Sequence, residues 1–344
     1  MNKNVLFLAL LCLFSFSTFN ACTPSDDDFI DVIDSSGDEN PLDDDSDDQS
    51  DDEETNTEVT LTAYFKANAE YSILSTAIEQ IGFSAALDNP SSFTFFAPDN
   101  DAFQRYLAVL GVNDVRNIST SVLTQIVQYH MLSGKKTISQ LNIGYSISLA
   151  KEFSSQGNLH MYLDKVSNTL RINNIAEVTT GNIQATNGTI HKVSEVLGLP
   201  TLATFIRADP QFDKLATAAS KDSEDTLFEL LSSLDTDFTF LAADNDAFDA
   251  IVNELEYQSL NDIPASTLAT ILDNHIHLNS VKRDNRLTDD LMLLMKNNND
   301  VTVTNNNGGI QFIDENQRSS TLLTANLQAW NGVMHVVDKV LLPK

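Results

Sequence analysis

Cysteine is almost missing from this chain. Of 344 residues only Cys12 and Cys22 are cysteines, and both fall within the first 22 positions. Everything from Thr23 onward is thereby closed to disulfides, Cys-based zinc sites and cysteine nucleophiles. Basic residues are also scarce, 20 Lys and Arg against 49 Asp and Glu, giving a formal charge of −29. A protein that binds nucleic acid by neutralising phosphates needs a basic face, so that class is excluded, and other polyanionic partners with it. No G-x-S-x-G, Walker, dinucleotide-binding or H-E-x-x-H segment occurs. Catalysis has no positive support, and no cofactor or metal is called for.

The N-terminus has what the rest lacks. Lys3 is followed by a 15-residue apolar run, Val5 to Phe19, too short for a comfortable membrane span. Residues 1–21 read as a signal peptide. Phe19-Asn20-Ala21-Cys22 resembles a bacterial lipobox, with Phe where Leu is more usual, and makes Cys22 the expected lipidation site. The plainer alternative is an ordinary secretory signal cleaved near Ala21, with Cys22 incidental. Two or three acyl chains would make a stable anchor where one is marginal. The expected location is the cell envelope, lipid-anchored at the outer membrane and surface-exposed.

Seventeen of the 49 acids lie between Asp26 and Glu58, and no base occurs from Asn4 to Phe65. With so few apolar side chains, residues 22–58 cannot bury enough surface to offset ordering entropy, and they read as a self-repelling tether. Val59 to Lys344 retains a milder −13.

That remainder is a duplication. FTFFAPDNDAF from Phe93 recurs as FTFLAADNDAF from Phe238, nine of eleven positions identical at an offset of 145. Leu123, Ile126, Val127 and His130 recur as Leu268, Ile271, Leu272 and His275; Asn187-Gly188-Thr189-Ile190-His191 recurs as Asn331-Gly332-Val333-Met334-His335. Two homologous domains, 59–200 and 201–344, follow.

Within each repeat the pattern predicts an opening amphipathic helix over 61–74 and a second periodic stretch over 78–87. A buried strand is expected at Phe93–Ala97 and a helix capped by Asp99 or Asn100, then a helix over 123–131 with its stripe at 123, 126, 127 and 130. Alternating segments at 159–166, 170–172, 301–304 and 310–313 read as strands between Asn/Gly turns. Helices first and strands second indicate an α+β domain.

These residues carry a family resemblance. FTFFAPDNDAF, Tyr129-His130 and the closing NGTIHKVSEVLGLP and NGVMHVVDKVLLP are similar to the three signature segments of fasciclin domains, in order, twice. The resemblance implies a compact β-sandwich or wedge with several helices around it, in secreted or surface proteins of cell adhesion and matrix interaction. Ala243 replaces a signature Pro, Asn274 replaces the Tyr before His275, and Ser194 replaces the Asp that Asp338 retains. In animal relatives adhesion is associated with an Asp-Ile pair and with residues around Tyr-His. Here Asn182-Ile183 matches the pair without its carboxylate, which weakens any receptor contact read through a metal ion. Tyr129, His130, Asn182, Ile183, His275 and the sole Trp330 are the candidate partner-binding residues.

Each has a bland reading beside it. His130 and His275 sit on an apolar stripe, where a hydrogen-bonded core histidine is the simpler role; His191 and His335 read likewise. Asp99-Asn100 and Asp244-Asn245 suggest caps rather than a metal site. Asn187-Gly188 and Asn331-Gly332 suggest tight turns of positive φ. His275-Ile276-His277 has a zinc-like spacing if on a strand, but reads as a helix end without a third ligand. The competing functional class is an envelope module that binds a glycan or peptide for nutrient uptake.

Overall fold

The computed structural model describes residues 59–89, 91–153, 155–221, 226–306 and 308–344. The expected signal peptide, Cys22 and the acidic segment lie outside the described residues.

The first repeat opens with α1 (Leu61–Ala67), α2 (Ser72–Gln80) and α3 (Ser84–Leu87). The single helix expected over 61–74 is broken at Asn68, which is extended at φ −102, ψ 110 and whose Nδ2 donates to the Tyr64 carbonyl at 2.7 Å. The Asn68 backbone N–H donates to the same carbonyl at 3.2 Å, so the last helical bond is made, and the extended backbone at Asn68 stops the next turn. The stretch over 78–87 is likewise split, by Gly82 at φ 64. Strand β1 (Phe93–Pro98) and helices α4 (Asn100–Leu110) and α5 (Thr120–Tyr129) follow, then β2 (Met131–Ser133), β3 (Gly144–Lys151), β4 (Asn158–Val166), β5 (Thr169–Ile172), β6 (Ala176–Ala185) and β7 (Gly188–Val193).

The second repeat has the same order: α6 (Leu202–Ala208), α7 (Asp213–Ala219), α8 (Thr226–Ser232), β8 (Phe238–Ala243), α9 (Asn245–Glu254), α10 (Ala265–Asp273), β9 (Ile276–Leu278), β10 (Met292–Leu294), β11 (Asp300–Asn306), β12 (Gly309–Ile313), β13 (Ser319–Ala329) and β14 (Gly332–Val337). Each repeat folds as an α+β domain around a seven-stranded sheet, ordered β2-β1-β7-β6-β5-β4-β3 and β10-β11-β12-β13-β14-β8-β9.

The early strand of each repeat is not segregated from the late ones. β1 runs parallel to β7 with Phe93 opposite Gly188, and β8 runs parallel to β14 with Phe238 opposite Gly332. Neighbouring side chains of β1 enter different cores, because strand residues alternate faces. Phe95 packs under the helices with Phe65, Phe103 and Ile126, whereas Phe96 packs inside the folded sheet with Leu132, Met161 and Ile172. A strand buried on both faces explains the unbroken apolar run.

The sheet folds over on itself at β6, whose pairing slips between Val178 and Thr180 and again before Ile183. Asn182 sits at φ 63 within this irregularity, and Asn326 at φ 62 occupies the same place in β13. An irregular register bends a strand and strengthens its twist, which turns a flat sheet into a wedge. In the second repeat the two edge strands nearly meet, through a bridge between His277 and Met295.

Candidate functional site

The signature residues of each repeat bond to its own backbone, some at the surface and some in the core. Asp99 caps α4 by accepting from the Ala102 amide at 3.0 Å, and Asp244 caps α9 through Ala247 at 2.9 Å. Asn100 Oδ1 accepts from Ile73 N–H at 3.0 Å while its Nδ2 donates to the Ala69 carbonyl at 2.9 Å, pinning the start of α2. Asn245 does the same with Lys214 and Pro210. Asp99 also meets Lys192 at 3.0 Å. Burial opposes the charge of Asp99, but the Ala102 amide and Lys192 outweigh it and lower its pKa.

The Asn-Gly pairs do not make the turn expected of them. The two-residue loops are Thr186-Asn187 and Trp330-Asn331, one position earlier, and neither Asn has positive φ. The asparagines act through their side chains. Asn187 Oδ1 accepts from the Leu61 amide at 2.9 Å and its Nδ2 donates to the Leu87 carbonyl. Asn331 Oδ1 accepts from Leu202 at 3.0 Å while Nδ2 donates to Leu231 and Ser233. The glycines permit close approach: a Cβ on Gly332 would stand 2.3 Å from the Phe238 carbonyl, and one on Gly188 would press on Leu61.

His130 follows α5 as its C-cap and does not extend the helix, and Met131 already belongs to β2. Its ring lies 2.8 Å from the Ile126 carbonyl at Nδ1 and receives the Leu197 amide at Nε2, 2.9 Å away. A carbonyl only accepts and an amide only donates, so the imidazole is neutral with its proton on Nδ1. His275 repeats this between Ile271 and Leu341, at 2.8 and 3.0 Å. Burial pulls both pKa values down to about 4.

His191 and His335 adopt the opposite tautomer. Nε2 donates to Lys136 and Lys282 carbonyls at 2.9 and 2.8 Å, and Nδ1 accepts from the Asn182 and Asn326 amides at 3.1 and 3.4 Å. Burial holds His335 near 4 and lowers His191. With both ring nitrogens engaged by backbone, none of the four is placed to take or give a proton.

The candidate contact residues divide accordingly. Tyr129, His130 and His275 are buried, which corrects their assignment as partner-facing groups. The Tyr129 hydroxyl donates to the His160 carbonyl at 2.8 Å and accepts from Asn173 at 2.7 Å. Asn274, in the Tyr position, instead accepts from Asn297 at 3.0 Å. Asn182 is exposed, but its Oδ1 accepts from the Ile138 amide at 2.9 Å, and Ile183 packs against the helical core. The Asp-to-Ser departure preserves its job: Ser194 Oγ accepts from Glu177 N–H at 3.0 Å as Asp338 does from Thr321 at 2.6 Å. His277 lies on β9 rather than at a helix end, with Nδ1 2.9 Å from the Leu294 carbonyl. Among the described residues no three His, Cys, Asp or Glu side chains stand together to hold a metal.

Trp330 answers a question its sequence context leaves open. It packs on Phe153 of the first repeat at 4.8 Å, edge to face, and its amide donates to the Pro200 carbonyl at 2.7 Å. Around it is a junction between the repeats. The Gln328 amide donates to His160 Nδ1 at 3.1 Å, and buried Gln328 Oε1 accepts from Ser155 at 3.2 Å and Arg283 at 2.6 Å. Burial and the Arg283 charge lower His160 to about 4. Tyr145 lies edge-on to Phe205 at 5.4 Å, and burial beside the Asp209 carboxylate raises the pKa of Tyr145 and Tyr162. None of these residues recurs in a motif, and His160 and Gln328 are 168 positions apart, so no local pattern announces them.

Comparison with known proteins matches this geometry to a family. Transforming growth factor-beta-induced protein ig-h3 of Sus scrofa is 27% identical over 268 residues, covering 75% of this chain and 35% of that protein. Periostin of Homo sapiens is 24% identical over 266 residues, 75% of this chain and 29% of its own length. The chain therefore spans about a third of these relatives. Protein sll1483 of Synechocystis sp. is 30% identical over 147 residues, 42% of this chain and 75% of that protein. The solved FAS1 domain pair of the insect cell adhesion molecule Fasciclin I is similar at a TM-score of 0.49 and 19% identity, covering 80% of this chain and 98% of that one. The fasciclin domain family matches residues 69–200 and again 210–343, so the chain belongs to the fasciclin-domain family.

Proposed function

We propose that this chain is a cell-surface lipoprotein that mediates adhesion or matrix contact through its two fasciclin domains. The observation that carries the reading is how the signature residues are used. The signature polar groups are engaged as caps, cross-links and neutral histidines that hold each repeat together, which supports a contact module over a reactive centre. Family membership favours the same class, and the chain aligns with 29% of the length of periostin. The lipobox-like Phe19–Cys22 segment supports an envelope anchor, and no helix among the described residues is long and apolar enough to cross a membrane.

Two measurements test this. Cys22→Ala is expected to abolish incorporation of a labelled fatty acid and to release the protein from the membrane fraction; unchanged labelling overturns the anchor. Deletion of the gene is expected to lower attachment of cells to a surface or host. Normal attachment, together with binding of the purified chain on a glycan array, would favour the uptake module instead.

A further inference from the structure

The junction inside the chain joins two unlike surfaces. On the first repeat it uses the outward face of the β3–β4 hairpin, where Tyr145 and Tyr162 lie side by side at 5.2 Å. On the second it uses α6, with Phe205 against Tyr145 and Asp209 just past the helix end. Because the repeats are copies, each has both surfaces, and one of each kind is left over.

The leftover surfaces can be located residue by residue. Val166 pairs with Thr169 and Asn306 with Gly309 at the equivalent hairpin ends, so Tyr162 corresponds to Thr302 and His160 to Asp300. Across the pair, Tyr145 corresponds to Met292 and Ile147 to Leu294. Asn187 holds the Leu61 amide as Asn331 holds that of Leu202, so Phe205 corresponds to Tyr64 and Asp209 to Asn68. Met292 is 59% exposed on its edge strand where its counterpart Tyr145 packs on Phe205, while Leu294 at 56% matches Ile147, which stays 59% exposed at the rim of the junction. Tyr64 is half-buried, whereas Phe205 under Tyr145 is fully buried.

We infer that the Met292–Leu294 face of one copy receives the Tyr64 face of α1 on a second copy, repeating between chains the junction within the chain. The substitutions are chemically compatible with that occupant. Asp300 stands where His160 accepts the Gln328 amide, and a carboxylate accepts equally from the corresponding Gln184. Asn68 replaces Asp209, which removes a negative charge from the face that would meet Asp300 and the acidic second repeat. A contact between unlike surfaces is heterologous, so it propagates as an open chain unless rotation closes it into a ring.

Sedimentation of the full chain over a concentration series tests the inference. The expected result is a mass that rises beyond the dimer, with Met292→Arg and Tyr64→Arg each weakening association at least about tenfold, some 1.4 kcal/mol. Each variant keeps one intact face, so mixing the two is expected to give a one-to-one heterodimer and nothing larger. Asn68→Asp, the residue found at that position in the second repeat, is the companion variant should Tyr64→Arg disturb α1. A wild-type chain that stays monomeric to its solubility limit overturns the inference. So does a dimer lost with Met292→Arg, untouched by both α1 variants and not restored by mixing, which would mean two Met292 faces meeting each other.

Discussion

The backbone N–H of Leu197 donates to Nε2 of His130 at 2.9 Å, and through that single ring the closing segment of the first repeat is tied to the end of α5. His130→Ala removes this bond and the one to Ile126, leaving a buried amide and a cavity. A loss of about 3 kcal/mol is expected in urea unfolding, with a similar loss for His275→Ala. A loss below about 1 kcal/mol would show that the ring merely fills space.

The same burial fixes a pH dependence. His130, His160, His275 and His335 titrate near 4 in the folded chain and near the ordinary 6.5 when unfolded. Between those values the unfolded state holds more protons, so stability is full above about 6.5 and falls as pH drops towards 4. On the order of 2 kcal/mol per histidine is lost by about pH 5. Urea midpoints should fall between about pH 7 and pH 5, and the fall should shrink in His130→Ala. A flat profile, or a drop unaffected by that substitution, would place the cause elsewhere.

Gln328→Ala takes the acceptor from both Ser155 and Arg283 and the donor from the Ala329 and Gly332 carbonyls. The expected cost is about 2–4 kcal/mol, since buried partners are left unpaired. Calorimetry should resolve two transitions where the parent, coupled through this side chain and the Phe153–Trp330 contact, shows one. Trp330→Ala should act in the same direction by about 1–2 kcal/mol. A single unchanged transition in both would mean the repeats unfold together for another reason.

Asn187→Ala and Asn331→Ala break equivalent ties and should differ in reach. Each releases the first amide of a helix and one or two distant carbonyls, costing about 2 kcal/mol. Only α6 carries Phe205, so only Asn331→Ala should also loosen the junction. Hydrogen exchange should show faster exchange in α1 and α3, but not at the junction, for the first variant, and in α6, α8 and β4 for the second. Equal patterns would contradict the assignment.

Much of the fold was legible because its causes are local or repeated. The Phe93 run with Asp99 behind it predicts a buried strand and a capped helix, and those form at Phe93–Pro98 and Asn100–Leu110. Periodicity at 123, 126 and 127 marks α5, but not where it stops, since His130 leaves the helix to meet Leu197, 67 residues later. The break at Asn68 is not legible for a similar reason: one residue in extended backbone, its side chain turned back on Tyr64, stops the helix without changing the apolar stripe.

The sequence by itself determined that the chain is duplicated, that each copy is α+β, and which residues are its signatures, because hydrophobic period and internal identity are readable along one dimension. Only the tertiary structure decided what those signatures do. Whether Asn187 turns the chain or holds Leu61, and whether Trp330 is anchor, core or seam, depends on groups more than a hundred residues away. Such contacts are fixed by packing and by the need of every buried polar group for a partner, and they leave no period in the chain.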